Sequence, residues 1–450
     1  MARAKKETAL TPEERLQAAL VPDWEWPYKL PENWCWTTVG TICDGFQYGY
    51  TEKATFEKIG PHFIRITDIG DGIINDSGAP YCKIDSDSFI KYKINKDDIL
   101  IARMGSVGEN GLATHNIDGV FASYLIRIVP RSNAKYVCNF LQTNLYWGQI
   151  SEKAQGTTRL NVNANVLKNL IIPLPPLAEQ QRIVDRIESL FSKLDEAKEK
   201  AQAVVDSFET RRAAILHKAF TGELTAKWRE EHGVRMESWH LRTIGEVCEN
   251  VKVGIVIKPS QYYVPQNEGT PAFRSANVRE CRIDDFDWVY LNEKGMKDNS
   301  RSIVHTGDVL VVRSGNPGTA CVVPERFDGC NAIDILIAVP NKKIIISDYL
   351  CYYTNSPLGK KTVEIGKRGI ALTHFNVKGF SQMPINIPTI PEQVVIVRTL
   401  SDLFAQEQQA KEAAEAVLDQ IDLMKKSILA RAFRGELGTN DPNEESAVNC

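Results

Sequence analysis

The stretch PLPPLAEQQRIVDRIESLFSKLDEAKE, Pro173–Glu199, decides how this chain is read. A stiff Pro-Pro entry opens into a long charged helix in the middle of the sequence. A weaker copy, NIPTIPEQVVIVRTLSDLFAQEQQAKE, spans Asn386–Glu412. Apolar residues of the first copy fall at Ile183, Ile187, Leu190, Leu194, Ala197, Ala201, Val204, Phe208 and Ile215, with polar Arg211 in sequence with them. Steps of four and three alternate, which is a coiled-coil seam. The second copy gives Ile396, Leu400, Leu403, Glu407, Ala410, Ala414, Val417, Ile421, Met424 and Ile428 in the same register. Such a seam needs a partner stripe, and the other copy is the nearest of equal length. Two helices of about 40 residues, each about 60 Å long, are expected to pair.

The repetition extends through most of the chain. Trp34–Cys43 (WCWTTVGTIC) matches Trp239–Cys248 (WHLRTIGEVC), 205 positions on. Asp97–Gly108 (DDILIARMGSVG) matches Gly307–Gly318 (GDVLVVRSGNPG) at an offset of 210. Pro176–Gln180 (PLAEQ) matches Thr389–Gln393 (TIPEQ), and Ile215–Leu224 (ILHKAFTGEL) matches Ile428–Leu437 (ILARAFRGEL), both at 213. The offset drifts early and then locks, so the early part of each unit bears loops and the late part is rigid. A unit of roughly 200 residues is far too long for a solenoid repeat.

The expected fold is α+β: two similar globules joined by two long helices that form an antiparallel coiled coil with a pseudo-twofold axis. The expected boundaries are 1–30, an N-terminal extension whose TPEERLQAAL carries a capping box and a short helix; 31–172, the first globule; 173–225, a central helical spacer; 226–385, the second globule; 386–437, a C-terminal helical spacer; and 438–450, a flexible tail.

Bulk properties narrow the function. At 450 residues two or more domains are expected, and a net charge of −3 means that DNA binding has to come from local basic patches. Ten cysteines, spread singly without a C-x-x-C pair, suit free thiols in a reducing cytoplasm. No apolar stretch follows the basic start and no run of eighteen apolar residues occurs, so neither a secretory signal nor a membrane span is expected. The nearest thing to a target-base motif of an adenine methyltransferase is GNPGT, Gly315–Thr319, which lacks the second proline and the aromatic residue and reads as a turn. There is no P-loop, and seven scattered histidines form no metal or nucleophile constellation. No cofactor, metal site or catalytic residue is expected.

The twin helices with their P-x-x-E-Q starts, and the twin ILHKAFTGELT and ILARAFRGELG, resemble the specificity subunit of type I restriction–modification enzymes from Trp34 to Leu437. The second start departs from the pattern, with Thr389 and Ile390 for the Pro and Leu of the first. The resemblance implies a non-catalytic subunit. Each globule would be a target recognition domain that reads one half of a bipartite double-stranded DNA site. The coiled coil would space the halves and dock two methyltransferase subunits, which restriction subunits then join. A methyltransferase or nuclease acting alone, and a coiled-coil protein that binds no DNA, are the competing readings.

Matched arginines are the first candidates for DNA contact: Arg65 with Arg274, and Arg103 with Arg313, the latter two each ending a strand before a glycine turn. Each is a phosphate or base contact or else a structural ion pair. A basic segment precedes each spacer, with Lys153 and Arg159 in Ser151–Asn161 and Lys360, Lys361, Lys367 and Arg368 in Gly359–Asn376. These read as mobile loops, for phosphate clamping or as a solvated face. FQYGYTEK (Phe46–Lys53) and KPSQYYVPQNEG (Lys258–Gly269) differ between copies, and divergent loops on a shared frame are where different bases would be read.

Overall fold

The computed structural model describes residues 20–154, 161–368, 375–438 and 440–447. The helix expected at TPEERLQAAL lies, Leu20 apart, outside them. The chain forms two compact units, Met1–Ala201 with Ala416–Cys450, and Gln202–Glu415.

In the first unit, DDILIAR supplies the centre of a six-stranded sheet. Strands β1 (Cys43–Tyr48), β2 (Ile69–Gly70), β3 (Gly72–Ile74), β4 (Ile99–Ala102), β5 (Asn110–Leu112) and β6 (Leu125–Pro130) lie in the order β1-β6-β4-β5-β3-β2. Side chains alternate across a strand. Ile99 and Ile101 therefore enter a core with helices α1 (Ala134–Phe140) and α2 (Asn144–Lys153), while Leu100 and Ala102 enter a second core on the opposite face. All four are at most 1% exposed, which is why the run is unbroken in apolar residues. Helix α3 (Leu177–Asp206) leaves this globule.

The second unit repeats the plan. After helix α4 (Phe208–Phe220) come β7 (Cys248–Val253), the hairpin β8 (Val278–Arg279) and β9 (Arg282–Ile283), then β10 (Val309–Val312), β11 (Ala320–Val322) and β12 (Ile335–Pro340). The sheet order is β7-β12-β10-β11. Val309 and Val311 join the core with helix α5 (Ser347–Asn355), and Leu310 and Val312 join the opposite one. Helix α6 (Pro357–Arg368) follows, then the long helix α7 (Ile390–Ala432). The expectation of a mobile loop from Gly359 needs correction: Gly359–Arg368 is helical because Val363, 2% exposed, docks in the core. Likewise Ser151–Lys153 is the last turn of α2, anchored by buried Ile150. GNPGT is a turn with left-handed Gly315 and Gly318, matched by Gly105 and Gly108 in the first copy.

The repeated Glu-Gln pair is a latch between helix and globule. Gln180 Nε2 donates to Pro175 O (3.0 Å) and its Oε1 accepts from Asn133 N (3.1 Å). Gln393 Nε2 donates to Pro388 O (2.9 Å) and its Oε1 accepts from Ile346 N (2.9 Å). Glu392, fully buried, accepts from Arg229 (2.7 Å), Thr225 (2.7 Å) and the Trp239 indole (3.0 Å). Glu179, equally buried, accepts from Arg182 Nε (2.8 Å) and Asn440 N (3.1 Å). A buried carboxylate left without these donors would cost several kcal/mol, by order of magnitude, so the motif ties the start of each helix to the segments packed around it.

The ends of the spacers exchange partners. Leu216, Ala219 and Phe220, from the first copy's spacer, lie in the core of the second unit. Their counterparts Leu429, Ala432 and Phe433 lie in the core of the first. Each unit thus closes with a piece of the other repeat.

Within each unit the two helices run antiparallel. Lys198 pairs with Asp422 (3.8 Å) and Asp195 with Lys425 (2.5 Å) in the first unit. In the second, Lys411 lies over the Phe208 ring (4.8 Å), Arg211 pairs with Glu407 (2.7 Å), and Arg212 covers the Phe404 ring (4.2 Å). Partner numbers fall as residue numbers rise, and the two polar seam residues, Arg211 and Glu407, meet each other.

The seam of α3 holds, with Ile183, Ile187 and Ala201 buried and Leu190 and Leu194 half-buried. In α7, Ile396, Leu400, Ala414 and Ile421 are buried and Leu403 is half-buried, but three positions move. Val417 is 40% exposed and Met424 48%, and Ala410 is exposed too. Lys411, Leu418 and Lys425 turn inward instead. The Lys411 and Lys425 ammonium groups lie over the Phe208 and Phe191 rings, 4.8 and 5.1 Å from their centres, so charged residues fill the seam where an apolar count looks past them. The break between α3 and α4 falls at Ser207, whose hydroxyl donates to Ala203 O (2.6 Å).

The C-terminal segment is not a flexible tail over its described part. Ala447 is buried in the first core with its N–H on Asn33 O (3.1 Å), and Glu444 pairs with Arg182 at 2.6 Å.

Candidate DNA interface

Strand β4 runs into Arg103 and β10 into Arg313. The Arg103 carbonyl accepts from Val162 N (2.9 Å), and the Arg313 carbonyl from Phe375 N (3.2 Å). The strand-end arginines and the segments before each spacer, two separate groups in the sequence, therefore meet at one edge of each globule. The divergent loops leave from the same edge at Gly49 and Gly254. A Cβ on Gly49 would lie 2.2 Å from Ala122 O, and one on Gly254 2.3 Å from Ala332 O. Only glycine allows that approach. The frame is shared and what it carries is not.

In the first unit the Arg103 guanidinium lies over the Tyr48 ring at 4.6 Å, and among the described residues no carboxylate pairs with it. Its Nε is buried without a partner. Tyr124, exposed, offers its carbonyl to Arg103 N (2.9 Å). In the second unit Arg313 is held by Asp334 at 2.8 Å. Asp334 N donates to Ile255 O (3.0 Å), as Ser123 N does to Tyr50 O (2.8 Å), so a serine stands in one globule where the other has the acid. The loop beyond Gly254 exposes Val256 and Ile257, with Lys258 in the left-handed region. One edge thus presents a cation among tyrosines. The other presents a cation held by a carboxylate beside apolar side chains.

The other sequence candidates divide. Arg65 is tied to Asp68 (3.0 Å), whose hydrogen bond raises the arginine pKa further. Arg274 is tied to Asp287 (2.8 Å) and Lys360 to Glu280. These three are paired with acids, as Arg313 is with Asp334. Lys153 Nζ donates to the Asn169 carbonyl (3.3 Å) and keeps its charge uncompensated among the described residues. Arg159 lies outside the described residues, and Lys367 and Arg368 are placed only by their helical backbone. Sequence reasoning missed Tyr48 and Tyr124 as individual residues; the signal was the divergent aromatic loop, and only strand pairing brings Tyr124 to Arg103. Among the described residues no cluster of His, Cys, Asp and Glu could hold a metal, and no helix is long and apolar enough to cross a membrane.

The family model for the type I restriction modification DNA specificity domain matches twice, at 32–205 and 236–417. The chain belongs to this specificity family. Each match takes in one globule and runs into the helix that follows it, the second ending at 417 within α7. The specificity subunit of the type I restriction enzyme EcoKI from Escherichia coli K12 is 25% identical over 435 residues, covering 91% of this chain and 90% of that one. The fold is shared with the HsdS subunit from Thermoanaerobacter tengcongensis (TM-score 0.62, 20% identity, 92% of this chain and 99% of that one). It is shared also with a chain from a study of complex assembly and conformational transition in a type I R-M system (TM-score 0.67, 21% identity, 91% and 100%). The globules are accordingly target recognition domains of the specificity family.

Proposed function

We propose that the chain reads a bipartite double-stranded DNA site, one half with each target recognition domain, as the specificity and scaffold subunit of a type I restriction–modification complex. The observation that carries this reading is the pair of matched edges, one frame with two chemistries. Identical readers would suit a palindrome, whereas Arg103 among tyrosines and Arg313 with Asp334 suit two different half-sites. The chain is not itself the enzyme; methyl transfer and cleavage belong to its partner subunits. Two methyltransferase subunits dock on the paired helices, and restriction subunits join that core. Arg103, Lys153 and Arg159 in the first domain, and Arg313, Lys367 and Arg368 in the second, serve the DNA backbone and base edges. The test is a genome-wide map of methylated bases in cells with and without the gene. A split motif that vanishes with the gene supports the reading, and an unchanged methylation map refutes it.

A further inference from the structure

Two thiols of the second unit meet at a hairpin turn. Cys281 sits in the β8–β9 turn with its sulfur 3.7 Å from that of Cys351 on α5, whose thiol proton is shared between Cys281 Sγ and Ala320 O (3.4 Å). Asn355 Nδ2 also donates to Cys281 Sγ (3.3 Å). Both cysteines line a cavity of about 290 Å³ with Val322, Pro324, Asp348 and Tyr352, and Cys281 is partly exposed.

The backbone marks Cys281 as unusual. Its φ is +55°, a region that residues with a β-carbon disfavour. The equivalent hairpin of the first unit, β2–β3, has Gly72 at that position with φ +77°, and Cys138 of α1 stands where α5 has Cys351. A Cβ built on Gly72 would lie 3.3 Å from Cys138 Sγ. The frame thus places this turn position against a cysteine in both units, and only the second fills it with a thiol.

We propose that Cys281 and Cys351 form a hydroperoxide-reactive dithiol site, in which Cys281 is the attacking sulfur and Cys351 the resolving one. The Cys281 thiolate attacks a peroxide oxygen. An S–O bond forms, the O–O bond breaks, and the leaving oxygen takes up a proton, leaving as water when the oxidant is hydrogen peroxide. The Cys351 sulfur, giving up its proton, then attacks Cys281. The S–S bond forms, the S–O bond breaks, and hydroxide departs with that proton as water. The two sulfurs lose two electrons to the hydroperoxide.

The surroundings divide the roles. The hydrogen bond from Cys351, then Arg212 and Asn355, hold Cys281 below the usual thiol range against burial and Glu280. Cys351 is pushed well up by that hydrogen bond, by burial and by neighbours that include Asp348. Cys321 is close but belongs to the opposite core, because side chains alternate along β11.

The test is brief hydrogen peroxide treatment of the reduced full-length chain, with peptide mass spectrometry after thiol blocking. The expected first product is a Cys281–Cys351 cross-linked peptide, reversed by dithiothreitol. In Cys351→Ala, a dimedone probe traps a sulfenic acid at Cys281. Arg212→Met slows Cys281 oxidation by roughly ten-fold, the thiolate fraction that one pKa unit represents, without changing Cys82 or Cys330. Cys281→Gly restores the residue that the first unit uses, so it folds and leaves Cys351 unreactive. Oxidation of Cys281 no faster than of Cys82, pairing with Cys321, or undiminished oxidation of Cys351 in Cys281→Gly would each overturn the assignment.

Discussion

Replacing Phe433 by alanine, near the end of the chain, should destabilise the first globule and spare the second. Phe433 is 1% exposed and packs on the Tyr136 ring at 4.8 Å and the Phe140 ring at 5.6 Å, inside the core that contains Ile99 and Ile101. Truncating a buried phenylalanine costs about 3–5 kcal/mol through lost burial and the cavity left behind. The loss stays in one cooperative unit if opening follows the contacts. At about 4 kcal/mol, the opening equilibrium of that unit rises roughly a thousand-fold. Amide hydrogen exchange of the full chain reads this directly. Ile99–Ala102 and Ala134–Phe140 should lose protection by that order in Phe433→Ala, while Val309–Val312 and Ser347–Asn355 keep theirs. Phe220, 5.2 Å from Tyr349 and 5.3 Å from Tyr353, is the matched plug of the second unit, and Phe220→Ala should give the mirror result. If Phe433→Ala weakened the second unit as much as the first, the exchange of spacer ends would be wrong.

Three further outcomes follow from the proposed reading. Arg103→Ala should weaken DNA binding by the assembled complex and lower the slope of log affinity against log salt by about one unit if the guanidinium meets a phosphate; an unchanged affinity removes Arg103 from the interface. Exchanging 31–172 for the equivalent part of a relative should change one half of the methylated motif and keep the other, and a hybrid altering both halves defeats the two-reader scheme. Four residues inserted after Ala201 lengthen α3 by about 6 Å, and about 400° of rotation nearly restores the seam. The gap between half-sites should then grow by about one or two base pairs with the same bases read, and altered bases at an unchanged gap would show that the helices are not the spacer.

Sequence by itself determined the duplication, the α+β character of each globule and the two long helices, because these rest on local pattern. Period-two and heptad spacing are written into neighbouring residues, and an offset of 213 positions between ILHKAFTGEL and ILARAFRGEL is visible without coordinates. The strand-end arginines were legible in the same way, since a strand that stops at a glycine turn marks its own end. Contacts between distant segments were not legible. A repeat says which segments are alike, not which touch, so only the tertiary structure decided that Phe433 plugs the first globule and Phe220 the second. Charge compensation is equally non-local: Asp334 holds Arg313 and Glu280 holds Lys360 through strand pairing and helix packing, while Arg103 meets a tyrosine ring instead. The seam of α7 departed from its apolar pattern at Val417 for a related reason. A lysine whose ammonium lies over a phenylalanine ring can take a half-buried seam position, and whether a ring is there to receive it depends on the partner helix.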